Sequence, residues 1–275
     1  MNHNYFTFDK IALQQAPKIP LEVLPTDADV FRQMAEEMAE EIVKNNEAGR
    51  RTVFICPVGP VGQYPYFVQM VNEQKISLKN VWFINMDEYL TDDKQWISEE
   101  DPLSFQGFMN QQVYGKIDPE LVMPAEQRVF PDPSDPGRIG RLSEELGGVD
   151  IVFGGIGING HVAFNEADDS LTPDAFRALP TRVLPISRET RTANAIGSLN
   201  GAIDAMPKYC ITVGFAEIYP ARKVRLGCFR DWHRAVVRQA CYGEETAHFP
   251  VSLFQSHPDA KITITDFVAT LPENH

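Results

Sequence analysis

Apolar side chains at helical spacing mark the first long element of the chain. In residues 26–46, four apolar residues from Val30 to Ile42 recur at every fourth position among charged neighbours. Thr26 or Asp27 can cap the first turn by accepting hydrogen bonds from its free backbone N–H groups. The pattern predicts an amphipathic helix that packs one face against a core.

Short continuous apolar runs predict the strands. Runs that are apolar without alternation are typical of strands covered on both faces, and strands that alternate with helices indicate a mainly parallel sheet. The predicted strands are RTVFIC (51–56), NVWFINM (80–86), GVDIVFGGIG (148–157), KYCITVG (208–214), KVRLGCF (223–229) and KITITD (261–266). Helical patterns occupy residues 66–74, 104–115 and 231–243.

These elements predict an α/β fold in which helices cover both faces of a mostly parallel sheet. Residues 1–25 contain three prolines that interrupt any helix, so we expect an irregular N-terminal arm that lies on the surface. Residues 26–275 show no repeat, low-complexity tract or convincing linker, and we expect them to form a single domain.

Three unusual segments follow predicted strands. They are PVGPVG (57–62), MDEYL (86–90) and GINGHVAFNEA (157–167). In open α/β sheets, ligands bind outside the carboxyl ends of the strands. The convergence of three such segments on one rim is stronger evidence for a functional site than any one of them.

Composition narrows the class of partner. The formal net charge of -13 disfavours nucleic acid and anionic membranes as partners, because both are polyanions. The four cysteines are widely spaced, so no Cys-x-x-Cys metal or redox motif exists. The N-terminus lacks the features of a secretory signal, and no apolar run approaches the roughly 18–20 residues that span a bilayer. We therefore expect a cytoplasmic protein.

His161 stands in a loop with four glycines, where the backbone can approach a ligand closely. Histidine titrates near neutral pH and serves as an acid or a base, although an isolated histidine is more often structural. Glu166 is close enough in sequence for its carboxylate to reach one ring nitrogen and determine the tautomer. Asn159, two residues before the histidine, belongs to the same candidate catalytic group.

Asp87 and Glu88 form an acidic pair that a solvated turn could also explain. Adjacent residues of an extended chain point to opposite sides, so one carboxylate can enter a cleft while the other binds neighbouring backbone. A carboxylate desolvated in a cleft becomes a usable carbon base. Together with His161 it suits the enolisation or isomerisation of a sugar, without a metal or nucleotide cofactor.

Gly59 and Gly62 belong to a glycine-rich turn that offers weak evidence for phosphate binding.

Several segments resemble the signature segments of the glucosamine-6-phosphate deaminase (isomerase) family, in the order that the family has them. They are NMDEYL, PLSFQGFM, GGIGINGHVAFNEA, ETRTANA, MPKYCITVG and FQSHP. The resemblance extends over most of the chain from about Arg51 and implies a Rossmann-like α/β fold. It also implies an aldose–ketose isomerisation coupled to the loss of ammonia, and relatives that are often homo-oligomers.

The resemblance implies residue roles by motif. Asp87 matches the base that moves a proton between C2 and C1 of the sugar, and His161 matches the residue that opens the ring. Glu166 matches the carboxylate partner of the histidine. Asn159 stands where many members have aspartate, so an amide replaces a titratable group there.

The positions that resemble the family's phosphate site depart from its pattern. The family usually has a T-G-G-T type turn where this chain has Val58 and Val61, and Ile196 replaces an arginine. His233 falls near the position of the family's lysine. We expect replacement anion donors among Arg191, His233, Arg188 and Arg230. Asp168 and Asp169 replace hydroxyls of an effector phosphate site.

These patterns predict an amino-sugar or amino-sugar-phosphate isomerase-deaminase that acts on a substrate other than glucosamine 6-phosphate. Asp87, His161, Glu166 and Asn159 form the predicted catalytic group. The predicted substrate-binding residues are Gly59, Gly62, Glu88, Arg191 and His233. Two alternatives remain open, a lactonase of the same superfamily and a non-catalytic sugar sensor. A lactonase would not need Asp87 as a carbon base, and a sensor would need a DNA-binding segment that the sequence does not suggest.

Overall fold

The computed structural model describes residues 4–272, in which helices and strands alternate along most of the chain. The strands are β1 (Leu21–Leu24), β2 (Thr52–Cys56), β3 (Val81–Asn85), β4 (Asp87–Leu90), β5 (Arg128–Val129), β6 (Ile151–Gly154), β7 (Arg182–Pro185), β8 (Tyr209–Thr212), β9 (Lys223–Cys228) and β10 (Ala260–Thr265). The helices are α1 (Lys10–Leu13), α2 (Asp27–Glu47), α3 (Gln63–Gln74), α4 (Phe105–Phe108), α5 (Arg138–Glu145), α6 (Pro173–Arg177), α7 (Arg188–Ser198), α8 (Phe215–Ile218), α9 (His233–Tyr242) and α10 (Asp266–Ala269). A π-helical turn (Met109–Val113) continues α4, and short 3₁₀ turns lie between several elements.

A seven-stranded sheet forms the centre of the fold. Its order is β1-β10-β9-β6-β2-β3-β5, and every neighbouring pair runs parallel. Successive residues of β2 enter two different cores, Val53 and Ile55 on one face and Phe54 and Cys56 on the other. The predicted α/β fold with a mostly parallel sheet between helices is confirmed.

The first long helix follows its sequence pattern closely. Thr26 caps α2, with its side chain accepting from the backbone N–H of Asp29 while the Asp29 carboxylate accepts from the Thr26 backbone. The buried face of α2 includes Val30, Met34 and Met38. This capping box begins the helix one residue after the start of the predicted segment.

A second, antiparallel sheet was not predicted. Its order is β4-β8-β7, so the segment MDEYL forms a strand and not a loop. The run KYCITVG, predicted as a strand of the parallel sheet, lies at the centre of this smaller sheet as β8. The chain passes from β3 of the large sheet to β4 of the small one through Met86 alone. Asp87 therefore stands at the junction of the two sheets.

The N-terminal segment differs from the irregular surface arm predicted for residues 1–25. β1 pairs with β10 and forms an edge of the parallel sheet, and Leu13 and Ile19 are fully buried. Proline interrupts helices but does not prevent an edge strand from forming after it. Residues 1–3 of the predicted arm and residues 273–275 of the predicted domain lie outside the described residues.

The carboxyl ends of β6, β2 and β3 lie side by side, because these strands are neighbours in the parallel sheet. The three segments that the sequence singles out begin at these ends. β9, the other neighbour of β6, adds a fourth segment to the same edge. The strand order thus places the candidate residues around one cleft.

Candidate active site

One cleft opens at this edge of the parallel sheet. It is lined by the 57–60 turn, the junction residues Met86 and Asp87, the histidine loop, the end of α7 and the segment from Gly227 to His233. Two of its lining side chains, Asp87 and His161, are proton-transfer groups on different segments. Gly59, Asp87, His161 and His233, all predicted from the sequence, line the same cleft.

Asp87 presents a desolvated carboxylate to the cleft. Only 8% of the residue is exposed, and its carboxylate accepts no hydrogen bond from the described part of the chain. Burial raises the pKa of Asp87 well above its usual range, and the neighbouring Glu88 carboxylate raises it further. A carboxylate in this state is a stronger base than one in water, as proton abstraction from carbon requires.

Glu88, predicted to bind substrate, does not line the cleft. Its carboxylate accepts hydrogen bonds from the backbone N–H groups of Tyr89, Phe105 and Gln106 and from the Ser104 hydroxyl, at 2.7–3.1 Å. Alternation along β4 sends Asp87 to the cleft and Glu88 to the opposite side, where it holds the first turn of α4. This corrects the substrate-binding assignment.

His161 contacts Asn159 directly and Glu166 less closely. The His161 Nδ1 atom lies 2.6 Å from the Asn159 Oδ1 atom, and the Asn159 Nδ2 atom donates to Glu166 Oε2 at 2.7 Å. Glu166 Oε2 is 3.7 Å from His161 Nδ1. The three predicted residues therefore form a chain in which the amide stands between the histidine and the carboxylate.

This chain determines the tautomer of His161. The Asn159 amide donates to a carboxylate through its nitrogen, so its oxygen must accept from His161, and Nδ1 carries the ring proton. The Nε2 atom of neutral His161 is then a free base. Burial lowers the pKa of His161, and the Glu166 carboxylate offsets part of that shift. The neutral, base form is favoured near pH 7.

β8 fixes the histidine loop relative to Asp87. Thr212 pairs with Asp87 across the small sheet, and its hydroxyl accepts from the Phe164 backbone N–H at 3.0 Å. Asn165 donates from its side chain to the Val213 carbonyl at 2.9 Å. Sequence reasoning missed Thr212 and Asn165 as positioning residues, although both lie in segments that carry the family resemblance.

The two glycines predicted to bind substrate have different positions. Gly59 lines the cleft with φ of 131°, a backbone conformation that favours glycine. Gly62 lies outside the cleft lining, where a Cβ atom would approach the Phe31 ring to 2.3 Å. Close packing against Phe31, and not ligand contact, accounts for the glycine at position 62.

Arg191, a predicted anion donor, lies outside the cleft lining. Its Nη2 atom donates to the backbone carbonyls of Ile203 and Met206 at 3.0 and 3.2 Å. The guanidinium therefore ties α7 to the turn that follows it, which corrects the substrate-binding assignment.

His233 lines the cleft, but both ring nitrogens already have partners. Its Nδ1 atom accepts from the backbone N–H groups of Phe229 and Arg230, so Nε2 carries the proton and donates to the Ile156 carbonyl at 3.0 Å. The pKa of His233 is lowered to about 3, mainly by burial. A neutral ring with both nitrogens engaged cannot bind an anion, so the expected donor role is corrected to a bridge between two loops.

Asn194 and Tyr89 form a further polar pair at the cleft. Asn194 lines the cleft, and its Nδ2 atom lies 2.9 Å from the Tyr89 hydroxyl. Tyr89 packs against Phe105 and Phe164, two aromatic residues that also line the cleft. All four residues belong to the resembling segments, but nothing in the residue types alone indicated that they meet.

The described residues form neither a metal-binding cluster nor a helix that could span a membrane. Among residues 4–272, no group of three or more His, Cys, Asp or Glu side chains is placed to hold a metal ion. No helix within the same residues is both long and apolar enough to cross a membrane.

Curated proteins and solved structures place the chain in a family, although no protein-family model matches it. It is 30% identical over 247 residues to a glucosamine-6-phosphate deaminase of Bacillus velezensis, covering 87% of this chain and 95% of that protein. A glucosamine-6-phosphate deaminase of Clostridium perfringens is 28% identical, with 86% and 93% covered.

A solved monomeric glucosamine-6-phosphate deaminase of the NagB superfamily superposes with a TM-score of 0.78 at 25% identity, covering 91% of this chain and 99% of that one. The 6-phosphogluconolactonase of Trypanosoma cruzi shares the fold, with a TM-score of 0.63 at 13% identity over 93% and 97% of the two chains. With its 30% identity to a deaminase over nearly the whole length of both proteins, the chain belongs to the glucosamine-6-phosphate deaminase family.

Proposed function

We propose that the protein is an amino-sugar isomerase-deaminase that converts a 2-amino aldose to a 2-ketose and ammonia. The observation that carries this proposal is the presence in one cleft of two groups: the desolvated Asp87 carboxylate, which accepts no hydrogen bond from residues 4–272, and His161, which is held as a base. The free cysteines are buried and unbridged in the described chain, as suits the reducing cytoplasm in which we place the reaction.

In the proposed reaction, His161 and Asp87 each take a proton from the substrate and each return one to it. His161 Nε2 accepts the proton of the C1 hydroxyl and returns it to the ring oxygen, which opens the ring. Asp87 takes the proton from C2, the C–H electrons form a C1–C2 double bond, and O1, which receives the carbonyl electrons, takes a proton from the substrate's C2 ammonium group. The same Asp87 carboxyl then returns a proton to C1, while the lone pair of the C2 amine forms a C–N double bond. Carbon 2 is left as an iminium. Water adds to that carbon, and the C–N bond breaks to release ammonia and the ketose.

We further propose that the substrate is not glucosamine 6-phosphate. Support comes from the end of the cleft beside the 57–60 turn. Val58 lines it where the family's turn has hydroxyl donors, and His233 is neutral with both nitrogens engaged. Each charge-assisted contact to a phosphate contributes about 1.5–3 kcal/mol, so the loss of several is expected to weaken its binding strongly.

An activity panel tests both parts of this proposal. The purified protein is incubated with glucosamine, glucosamine 6-phosphate and other 2-amino sugars, and ammonia and ketose are measured together. We expect both products in equal amounts from at least one amino sugar. Robust turnover of glucosamine 6-phosphate, with KM in the usual range of about 1 μM to 1 mM, contradicts the changed substrate.

The Asp87→Asn variant separates deaminase from lactonase. An amide cannot accept the C2 proton, so the variant is expected to lose about 10³-fold or more in kcat on the best amino sugar. A sugar lactone supplied to both proteins is the control substrate. Lactone hydrolysis that survives in the variant, with no ammonia release from the wild type, indicates a lactonase instead.

A further inference from the structure

Positive charge is scarce at the cleft. Within residues 4–272, Arg230 is the only arginine or lysine that lines it. The same cleft holds the Asp87 carboxylate, and Glu166 lies behind His161, in a chain with a formal net charge of -13. An acid group on the substrate therefore meets one cation and repulsion from the rest of the site.

Arg230 is available to bind a ligand. Its guanidinium forms no hydrogen bond or ion pair with the described residues, and Arg230 is exposed at the cleft mouth. The guanidinium lies beside the Phe229 ring, with Cζ 5.8 Å from the ring centroid. Ring contact limits the positions of the guanidinium without using its N–H donors.

Arg230 also reaches the end of α7. A Cβ atom added at Gly197 would stand 3.4 Å from Arg230 Nη1. The adjacent residue Ile196, where the family resemblance implies an arginine, turns outward and is 69% exposed. Arg230, in the segment after β9, thus places a positive charge beside the end of α7, where Ile196 supplies none.

We infer that Arg230 is the acid-group receptor of the substrate site and that it selects a sugar acid, binding a single carboxylate and not a phosphate dianion. A guanidinium presents two parallel N–H donors that match the two oxygens of a carboxylate. A dianion at this one cation leaves a negative charge uncompensated near Asp87, which must itself be ionised to act as a base. The inferred substrate class is a 2-amino sugar acid, and in this respect the inference rests on the proposed function.

Isothermal titration calorimetry tests the role of Arg230 in binding without any turnover. D-glucuronate and glucose 6-phosphate, which lack the C2 amine, are titrated into the wild-type protein and into Arg230→Gln. We expect glucuronate to bind at least about 10-fold more tightly than glucose 6-phosphate. We also expect Arg230→Gln to weaken glucuronate binding about 10- to 100-fold, as loss of a charged bidentate contact implies.

Two further variants sharpen the result. Arg230→Lys keeps the charge but loses the planar fork, so glucuronate binding should recover only in part. Arg138→Gln removes an exposed charge on α5, away from the cleft lining, and should leave binding within about 2-fold of wild type. Tighter binding of glucose 6-phosphate, or equal binding of glucuronate to wild type and Arg230→Gln, overturns the inference.

Turnover distinguishes this inference from the function on which it rests. With 2-amino-2-deoxyglucuronate as substrate, Arg230→Gln should raise KM about 10- to 100-fold and change kcat little, because the acid group is held alike before and during reaction. With glucosamine, which has no acid group, the variant should match the wild type within about 3-fold. Ammonia release from no amino sugar contradicts the proposed function, whereas the binding of glucuronate still decides the role of Arg230.

Discussion

Asn159 determines which nitrogen of His161 is free to act on a substrate. Its amide oxygen meets Nδ1 at 2.6 Å and its nitrogen meets Glu166 at 2.7 Å, so the amide can face only one way. An amide does not carry charge, and the positive form of the ring therefore gains less support than a carboxylate at this position would provide. Asn159 is thus a positioning residue that keeps His161 a neutral base.

Replacing Asn159 by Asp should move the titration of His161. A carboxylate next to Nδ1 favours the imidazolium, so we expect the pKa of His161 to rise. Because the proposed reaction requires the base form of His161, the acidic limb of the profile of kcat/KM against pH should shift to higher pH with it. NMR titration of the ring Cε1 proton, assigned with a His161→Asn variant, measures the shift directly. An unchanged or lower pKa in Asn159→Asp contradicts the proposed role of the amide.

The histidine loop folds back on itself, because Gly157 leaves room for the His161 ring. A Cβ atom at Gly157 would stand 1.9 Å from the His161 Cε1 atom, so only a hydrogen fits between the backbone and the ring. The loop is closed by the Gly157 backbone N–H, which donates to the His161 carbonyl at 2.8 Å. Thr212 and Asn165 then anchor the following residues on β8.

Gly157→Ala should displace the His161 ring and leave the fold intact. We expect a loss of at least about 100-fold in kcat, because a misplaced base is no longer within hydrogen-bond reach of the substrate. The far-ultraviolet circular dichroism spectrum and the melting temperature should remain near those of the wild type. Gly137→Ala is the matched control and should keep full activity, since its Cβ atom meets the flexible end of Arg141 at 3.0 Å and the Asp135 carboxylate at 3.9 Å. Normal turnover in Gly157→Ala shows that the ring position does not matter.

Where the two sheets join, the fold buries the Asp87 carboxylate, which is unfavourable for its charged form. Asp87 is buried, its carboxylate accepts no hydrogen bond from the described residues, and that burial raises the pKa of Asp87. The protonated form therefore stabilises the fold fully below the unfolded-state pKa of about 3.9, and this stabilisation is lost as the pH rises through the higher folded-state pKa. Near pH 7 the ionised Asp87 carboxylate therefore lowers the stability of the fold, and the proposed function requires this ionised form.

Asp87→Asn should therefore stabilise the protein near neutral pH. We expect the melting temperature at pH 7.5 to rise by about 2 °C or more, and the difference from wild type to shrink toward zero as the pH falls to about 4. Thermal unfolding measured across this range provides the test. Asp93→Asn, at an exposed carboxylate, should show no such gap. A melting temperature of Asp87→Asn below that of wild type at pH 7.5 contradicts the cost assigned to the buried charge.

Predictability from sequence differed between the elements. The apolar stripe of α2 from Val30 to Ile42 and the apolar runs of the parallel sheet were predicted correctly. The spacing of apolar residues that marks a buried helix face or a buried strand is visible in the local sequence. β4 and β7 were missed, since their four-residue strands are stabilised by pairing with β8. The single domain predicted for residues 26–275 and the expected homo-oligomer stay predictions.

Sequence patterns were enough to predict the fold class, the family and two of the groups that line the cleft. Asp87 and His161 could be named because they lie after apolar strands whose carboxyl ends must share one edge. The roles of the other polar residues could be assigned only from the folded structure. Each of these roles depends on which distant donor or acceptor lies within about 3 Å, and a hydrogen bond of that length is set by the packing of whole elements. Packing thus engages Glu88, Arg191 and His233 in other contacts, whereas the Arg230 guanidinium forms no hydrogen bond or ion pair with the described residues.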